Sequence, residues 1–74
     1  MLDMLRKIEK DWSMQQVIDL LGTPDRYGER SVVAEVFYAV DENTEATIAF
    51  WSEGIEITLR NVETGETMTL LTRQ

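Results

Sequence analysis

The residues of this 74-residue chain that can do chemistry are mainly carboxylates, because the sequence contains no His and no Cys. The commonest general base and any thiolate nucleophile are therefore missing. Asp41, Glu42 and Glu45 surround one predicted turn, and Glu53 and Glu56 flank another. Oxygen-rich turns can bind Ca²⁺, but the D-x-D-x-D-G spacing of a calcium loop is absent. We expect no catalytic residue, no metal, no cofactor and no enzymatic activity.

Two aromatic residues are the stronger candidates for a functional role. Alternation within the predicted strands puts Phe37 and Trp51 on the face that carries Glu35 and Arg60, since Glu35 is not expected to be buried unpaired. An aromatic patch on an uncovered sheet face is typical of a surface that binds a partner. The alternatives are that the C-terminal tail or the first helix covers these side chains, or that Trp51 merely flanks a turn.

A polar segment over residues 22–31, GTPDRYGERS, is predicted to be a loop because of its two glycines and its proline. It carries Arg26, Tyr27 and Arg30 in an otherwise acidic chain. This loop is a second candidate contact region, for a small molecule, an ion or a partner. The alternative is a solvated connection between a helix and the sheet.

The elements that would position these side chains are two helices followed by strands. Apolar residues at helical spacing predict an amphipathic helix over residues 1–12. A second helix is predicted from Met14 to Leu21, with a capping box formed by Ser13 and Gln16 and a left-handed stop at Gly22.

Four strands are predicted by β-branched and aromatic enrichment between short turns, over about 32–40, 44–52, 55–62 and 66–72. Short turns make neighbouring strands antiparallel. The predicted fold is α+β, with two N-terminal helices packed on one face of a four-stranded antiparallel meander sheet (ααββββ) in a single domain over 1–74. Alternation predicts that the helix-facing residues include Val32, Val36, Ile48, Ile57 and Met68.

The segment 13–25, SMQQVIDLLGTPD, resembles the helix-and-loop signature of the SmpA/OmlA family, the small lipoproteins of barrel assembly. Val17, Leu20, Leu21, Gly22 and Pro24 match its V-x-x-L-L-G-x-P pattern. The resemblance implies a bacterial domain in which two helices precede a meander, related to the fold of the β-lactamase inhibitory protein type. It also implies that the open sheet face can bind another protein. The chain departs from the family in having Trp12 where a Gly usually precedes the helix.

Charge limits the possible partners. The chain has 7 basic and 14 acidic residues, a net charge of −7, and its basic residues are scattered. Nucleic acid and anionic membranes are disfavoured, because both require a clustered positive surface. No stretch is long enough for a membrane span, and the lack of a signal peptide or lipidation Cys favours a cytoplasmic location. We expect a non-catalytic protein-binding or scaffolding domain whose partner is another protein, with a homodimer possible. The alternative is a regulatory domain that binds a small molecule or an ion through the 22–31 loop.

Overall fold

The structure is a computed structural model that describes residues 1–30 and 32–72. Only the backbone of Arg30 is described, and Ser31, the last residue of the predicted loop, lies outside the described residues. The described chain forms two helical segments and one sheet. In chain order these are α1 (Leu2–Leu5), α2 (Met14–Leu21), β1 (Arg26–Arg30), β2 (Val33–Asp41), β3 (Thr44–Trp51), β4 (Gly54–Asn61) and β5 (Thr67–Leu71).

The predicted architecture, two helices over a four-stranded sheet, is wrong in two respects. The sheet has five antiparallel strands, in the order β1-β2-β3-β4-β5. The additional strand is β1, which occupies residues predicted to be a loop. The predicted first helix is a single turn of 4 residues, so α2 is the one helix of more than one turn among the described residues.

α1 is short because a tertiary contact holds the chain that follows it. Leu5 and Ile8 are buried, with 1% and 4% of their surface exposed, as helical spacing predicts. The Ile8 amide donates to the Leu5 carbonyl at 3.2 Å, a bond that spans only three residues and tightens the turn. The Lys10 carbonyl then accepts a hydrogen bond from the Ile55 amide at 3.0 Å. This backbone bond ties the segment to β4 and prevents the helix from continuing.

α2 begins and ends where the sequence predicts. The Ser13 hydroxyl accepts from the Gln16 amide at 3.2 Å, and the Gln16 side chain accepts from the Ser13 amide at 2.8 Å, which completes the capping box. Gly22 follows with φ 88° and ψ −172°. Its φ is positive as predicted, but its ψ is extended instead of left-handed helical. Almost only glycine adopts this combination of positive φ and extended ψ. Gly22 can therefore turn the chain from α2 toward β1.

β1 forms because the outer edge of β2 offers it unpaired backbone groups. Arg26 lies opposite Phe37 in the register. The Asp25 amide donates to the Phe37 carbonyl at 2.9 Å, and the Asp25 carboxylate accepts from the Ala39 amide at 2.6 Å. Gly28, a turn signal in the sequence, leaves room for the Phe37 ring, since a Cβ there would lie 2.8 Å from Phe37 Cε1. Cross-strand pairing thus overrides the local preference for a loop.

The core lies between the helical segments and one face of the sheet, which we call the helix face. The buried apolar cluster comprises Leu5, Ile8, Val17, Val36, Tyr38, Ala46, Ile48, Ile55, Ile57 and Leu59. Its strand members are residues that alternation predicts to face the helices. Val32 was predicted there wrongly, because it precedes β2 and is 94% exposed. Met68 pairs with Leu59 on the helix face as predicted, but it lies on the edge strand β5 and is 56% exposed. Val33 alternates with Glu35 and Phe37, so the same pattern predicts that it points outward, yet it is buried.

Candidate functional site

The face of the sheet opposite the helix face is not covered by α1 or α2, and we call it the open face. The β-sheet register aligns Arg26, Phe37, Thr47, Thr58 and Thr69 in one row across all five strands. A neighbouring row on the same face runs through Gly28, Glu35, Ala49 and Glu56. Because side chains alternate along each strand, both rows point away from the core.

A cluster of charged and aromatic side chains occupies one side of the open face. The Arg26 guanidinium carbon lies 3.8 Å from the centroid of the Phe37 ring. The same guanidinium donates to both carboxylate oxygens of Glu45, at 3.0 and 3.1 Å, and Arg60 approaches Glu45 at 3.5 Å. Each contact contributes little alone, because these side chains are partly exposed to solvent. Together they hold Phe37 between Arg26 and Gly28.

A shallow depression of about 230 Å³ lies beside this cluster, lined by Glu35, Phe37, Thr47, Ala49, Glu56 and Thr58. Ala49 is 2% exposed and lies between Glu35 and Glu56 in the register, so a small side chain separates two carboxylates. The indole N–H of Trp51 donates to Glu56 Oε1 at 3.3 Å. The indole is thereby held by a residue that lines the depression, whereas Phe37 lines the depression itself.

The first set of candidates therefore occupies one surface. Phe37, Trp51, Glu35 and Arg60 all lie on the open face. The aromatic pair is half-buried instead of fully exposed, because Arg26 and Gly28 enclose Phe37 and the Glu56 carboxylate holds Trp51. The large apolar side chains that are exposed lie elsewhere in the described chain: Tyr27, Val32, Val62 and Met68.

The second set of candidates does not form the predicted loop. Arg26 and Tyr27 are neighbours in β1, so they point to opposite faces of the sheet. Arg26 joins the open-face cluster, whereas Tyr27 is 61% exposed on the other side. The side chain of Arg30 lies outside the described residues. The contact between Arg26 and Glu45 on the open face is not predicted from the sequence, because it depends on the β1–β2 register.

Tyr38 has a clearly shifted pKa. Burial raises the pKa of its hydroxyl above the ordinary value of 10.0, and the nearby Tyr27 and Asp25 raise it further. The hydroxyl donates to the Gly22 carbonyl oxygen at 2.7 Å. This arrangement stabilises the neutral phenol and serves the core, since Tyr38 lies on the helix face.

The predicted acidic turns form no metal site in the described part of the chain. Within residues 1–30 and 32–72, no three Asp or Glu side chains converge to hold an ion. The Asp41 carboxylate accepts from the Asn43 amide at 2.8 Å and thereby closes the β2–β3 turn. In the same part of the chain, neither α1 nor α2 has the length and apolar composition of a membrane-spanning helix.

Comparison with known proteins gives no further guidance. We found no significant match to a family model, to a curated protein or to a solved structure. The assignment of function therefore depends on the geometry of the open face.

Proposed function

We propose that this chain is a small non-catalytic protein-binding or scaffolding domain of bacterial type, which contacts a partner protein through the open face. The observation that supports this proposal is the Arg26–Phe37–Glu45–Arg60 cluster on a sheet face that neither helical segment covers. Aromatic and Arg side chains dominate the binding energy of many protein interfaces. The resemblance to the SmpA/OmlA family, in which the open face can bind proteins, supports the same proposal.

The contacts within the cluster also favour binding, because they order the side chains in advance. Ordering a flexible side chain at an interface costs about 0.5–1.5 kcal/mol. Phe37 lies between Gly28 and the Arg26 guanidinium, and Trp51 donates to Glu56. A partner that docks here would therefore meet aromatic side chains that are already ordered.

The partner we propose is another protein, and a second copy of this chain on the same face is the alternative. The open face carries both signs of charge, with Arg26 and Arg60 near Glu45 and with Glu35 and Glu56 around the depression. When the charges of a partner are complementary to such a mixed surface, they contribute more to the specificity of binding than to its affinity. The other alternative, a regulatory site in a 22–31 loop, is favoured by no observation, because β1 occupies residues 26–30.

Site-specific photocrosslinking in cells of the source organism tests the proposal. A photoreactive phenylalanine analogue at Thr47, within the depression, should yield an adduct whose mass identifies a partner protein. The same analogue at Asp19, exposed on α2, is the positional control and should yield little of that adduct. Equal yields from both positions, or no adduct from Thr47, would contradict the proposal, and an adduct between two copies would support the alternative.

A charge-matched pair of variants sharpens this experiment. Arg60→Glu reverses a charge on the open face, and Arg6→Glu makes the same change on an exposed residue just after α1. We expect Arg60→Glu to lower the adduct yield from Thr47 and Arg6→Glu to leave it unchanged. Equal effects of the two variants would indicate that net charge, not the open face, governs the contact.

A further inference from the structure

The two outer edges of the sheet differ in charge. β1 has the sequence RYGER, with charged residues at three of five positions, whereas β5 has the sequence TMTLL and no charge. Charged residues on an edge strand discourage pairing with another chain, and their absence permits it. The chain as a whole carries a net charge of −7. Two copies of this acidic chain can therefore meet at β5 without placing like-charged side chains of the two strands next to each other.

The backbone groups that point outward from β5 belong to Thr67 and Thr69. The Asn61 amide donates to the Glu66 carbonyl and the Asn61 carbonyl accepts from the Gly65 amide, both at 2.8 Å, so the backbone groups of Asn61 point toward β5 at the start of the β4–β5 ladder. Hydrogen-bonded and non-hydrogen-bonded pairs alternate along an antiparallel ladder. In the observed register, Met68 therefore bonds to β4, while the N–H and C=O groups of Thr67 and Thr69 point away from it.

Met68 adds an exposed apolar side chain to this edge. It is 56% exposed on the helix face and borders an open groove of about 410 Å³ that Leu2, Val40 and Leu59 also line. Methionine is flexible and polarisable, and it adapts well to an apolar contact. The edge thus combines free backbone groups with an apolar side chain next to a groove.

We propose that a second copy of this chain pairs with β5 as an antiparallel strand, about a two-fold axis at Met68. In this register, Thr67 of each copy lies opposite the partner's Thr69, and each such pair exchanges two N–H···O bonds. Met68 and the partner's Met68 form a non-hydrogen-bonded pair, the type in which side chains lie closest. The contact involves the same surface on both copies, so it closes as a dimer.

The geometry of this dimer leaves both open faces free. The two-fold axis runs perpendicular to the sheet, so the two open faces lie on one side and both helix faces lie on the other. The dimer therefore presents the open face twice, side by side on a continuous sheet. The inference does not rest on the proposed function, because it uses the edge of the sheet and not its face.

The β1 strand of another copy is a poorer occupant of the β5 edge. It would bring the charged residues Arg26 and Glu29 to an uncharged strand. A contact of β1 with β5 would also be head-to-tail and would extend into a fibre unless the rotation closed a ring. Self-pairing of β5 avoids both consequences.

Sedimentation velocity tests the proposal on the full chain. The contact is small, so we expect the mass to rise from 8.6 kDa to twice that value only between about 10 µM and about 1 mM protein. Met68→Lys should weaken the dimer at least about tenfold, because two ammonium groups would face each other across the axis. A wild-type chain that remains a monomer at about 1 mM would overturn the proposal.

Two further variants separate the contact from general charge effects. Met68→Lys lowers the net negative charge of the chain, which by itself favours unspecific association. Tyr27→Lys is the control, because it makes the same change of charge at an exposed residue of β1. We expect Tyr27→Lys to dimerise like the wild type. Met68→Glu should also be monomeric, but an equimolar mixture of Met68→Glu and Met68→Lys should form a mixed dimer, since opposite charges then meet at the axis. A mixture that stays monomeric while the wild type dimerises would place the contact elsewhere.

Hydrogen exchange on the wild-type chain provides a test that needs no variant to fold. The Thr67 and Thr69 amides point away from β4, so they should exchange fast in dilute protein and slow down as the concentration rises. The Met68 amide bonds to β4 and serves as the internal reference, with protection that changes little. Thr67 and Thr69 amides whose exchange is independent of concentration, in a sample that dimerises, would contradict the β5 register.

Discussion

Replacing Tyr38 by Phe removes one hydrogen bond between the sheet and the end of α2. The Tyr38 hydroxyl donates to the Gly22 carbonyl oxygen at 2.7 Å, and the side chain is 3% exposed. Phe keeps the ring and its packing in the core. The change therefore isolates the contribution of the hydroxyl to the free energy of unfolding.

The magnitude follows from the surroundings of the acceptor. A neutral hydrogen bond contributes about 1 kcal/mol net. Gly22 is exposed, so water can replace the hydroxyl at its carbonyl, and no buried acceptor is left without a partner. For a domain of this size, about 1 kcal/mol corresponds to a Tm lower by about 4–8 °C. Differential scanning calorimetry at neutral pH measures this difference directly.

The same variant predicts a change in pH dependence. Burial raises the pKa of Tyr38 above 10.0, with smaller contributions from Tyr27 and Asp25. Above that pH the unfolded chain releases the phenol proton while the folded chain retains it. The folded state then binds more protons, so the free energy of unfolding falls as pH rises. The Phe variant lacks this group, and its stability gap to the wild type should narrow at alkaline pH.

Tyr27→Phe is the control, because Tyr27 is 61% exposed and its replacement should change the stability by less than about 0.5 kcal/mol. Urea unfolding between about pH 8 and about pH 11 measures both variants across the titration of the phenol. A Tyr38→Phe variant as stable as the wild type at neutral pH would refute the role of the hydrogen bond. A stability gap that stays constant across the alkaline range would refute the assigned direction of the pKa shift.

Four further substitutions test the fold. Gly22→Val should cost about 1–3 kcal/mol of stability in calorimetry, because Gly22 has φ 88°, a backbone conformation in which a side-chain residue is strained. A Cβ at this position would have no neighbour within 4 Å, so the expected loss comes from the backbone conformation; an unchanged Tm would refute the cap. In urea unfolding, Ile57→Ser should lower the free energy of unfolding by about 4 kcal/mol, since Ile57 is 0% exposed. This loss should exceed that caused by Trp51→Ser; the reverse order would mean that the sheet faces are exchanged. Gly28→Ala should cost about 1–2 kcal/mol and shift the NMR signals of the Phe37 ring, because the new Cβ would lie 2.8 Å from Phe37 Cε1; unchanged ring signals would contradict the packing of Phe37 on Gly28.

The sequence predicts α2 best, because the signals for its start and end are local. Ser13 and Gln16 form the predicted capping box, and Gly22 has the predicted positive φ. Alternation likewise predicts the buried side of β3 and β4, where Ile48 and Ile57 are both 0% exposed. These features depend on neighbouring residues or on the period of a single strand, so they need no knowledge of the tertiary fold.

The features that the sequence does not predict depend on contacts between distant residues. α1 stops because the Lys10 carbonyl bonds to β4, and β1 forms because β2 has an edge to pair with. The same dependence limits prediction of the candidate site. Alternation places Phe37 on the open face. The stacking of Arg26 on Phe37, however, requires the β1–β2 register. The sequence does not reveal this register, because the polar residues and glycines of segment 22–31 are typical of a loop.

The order of the strands in the sheet also bears on how fast the chain folds. Every strand pairs with the strand next to it in the chain, and only residues 42–43 and 52–53 separate β2 from β3 and β3 from β4. Contacts between segments so close in sequence cost little loop-closure entropy, and a single hairpin forms in about 1–10 µs. The sheet can therefore grow one hairpin at a time. We expect this chain to fold faster than β-sandwiches of similar size, whose strands must find partners from distant parts of the sequence.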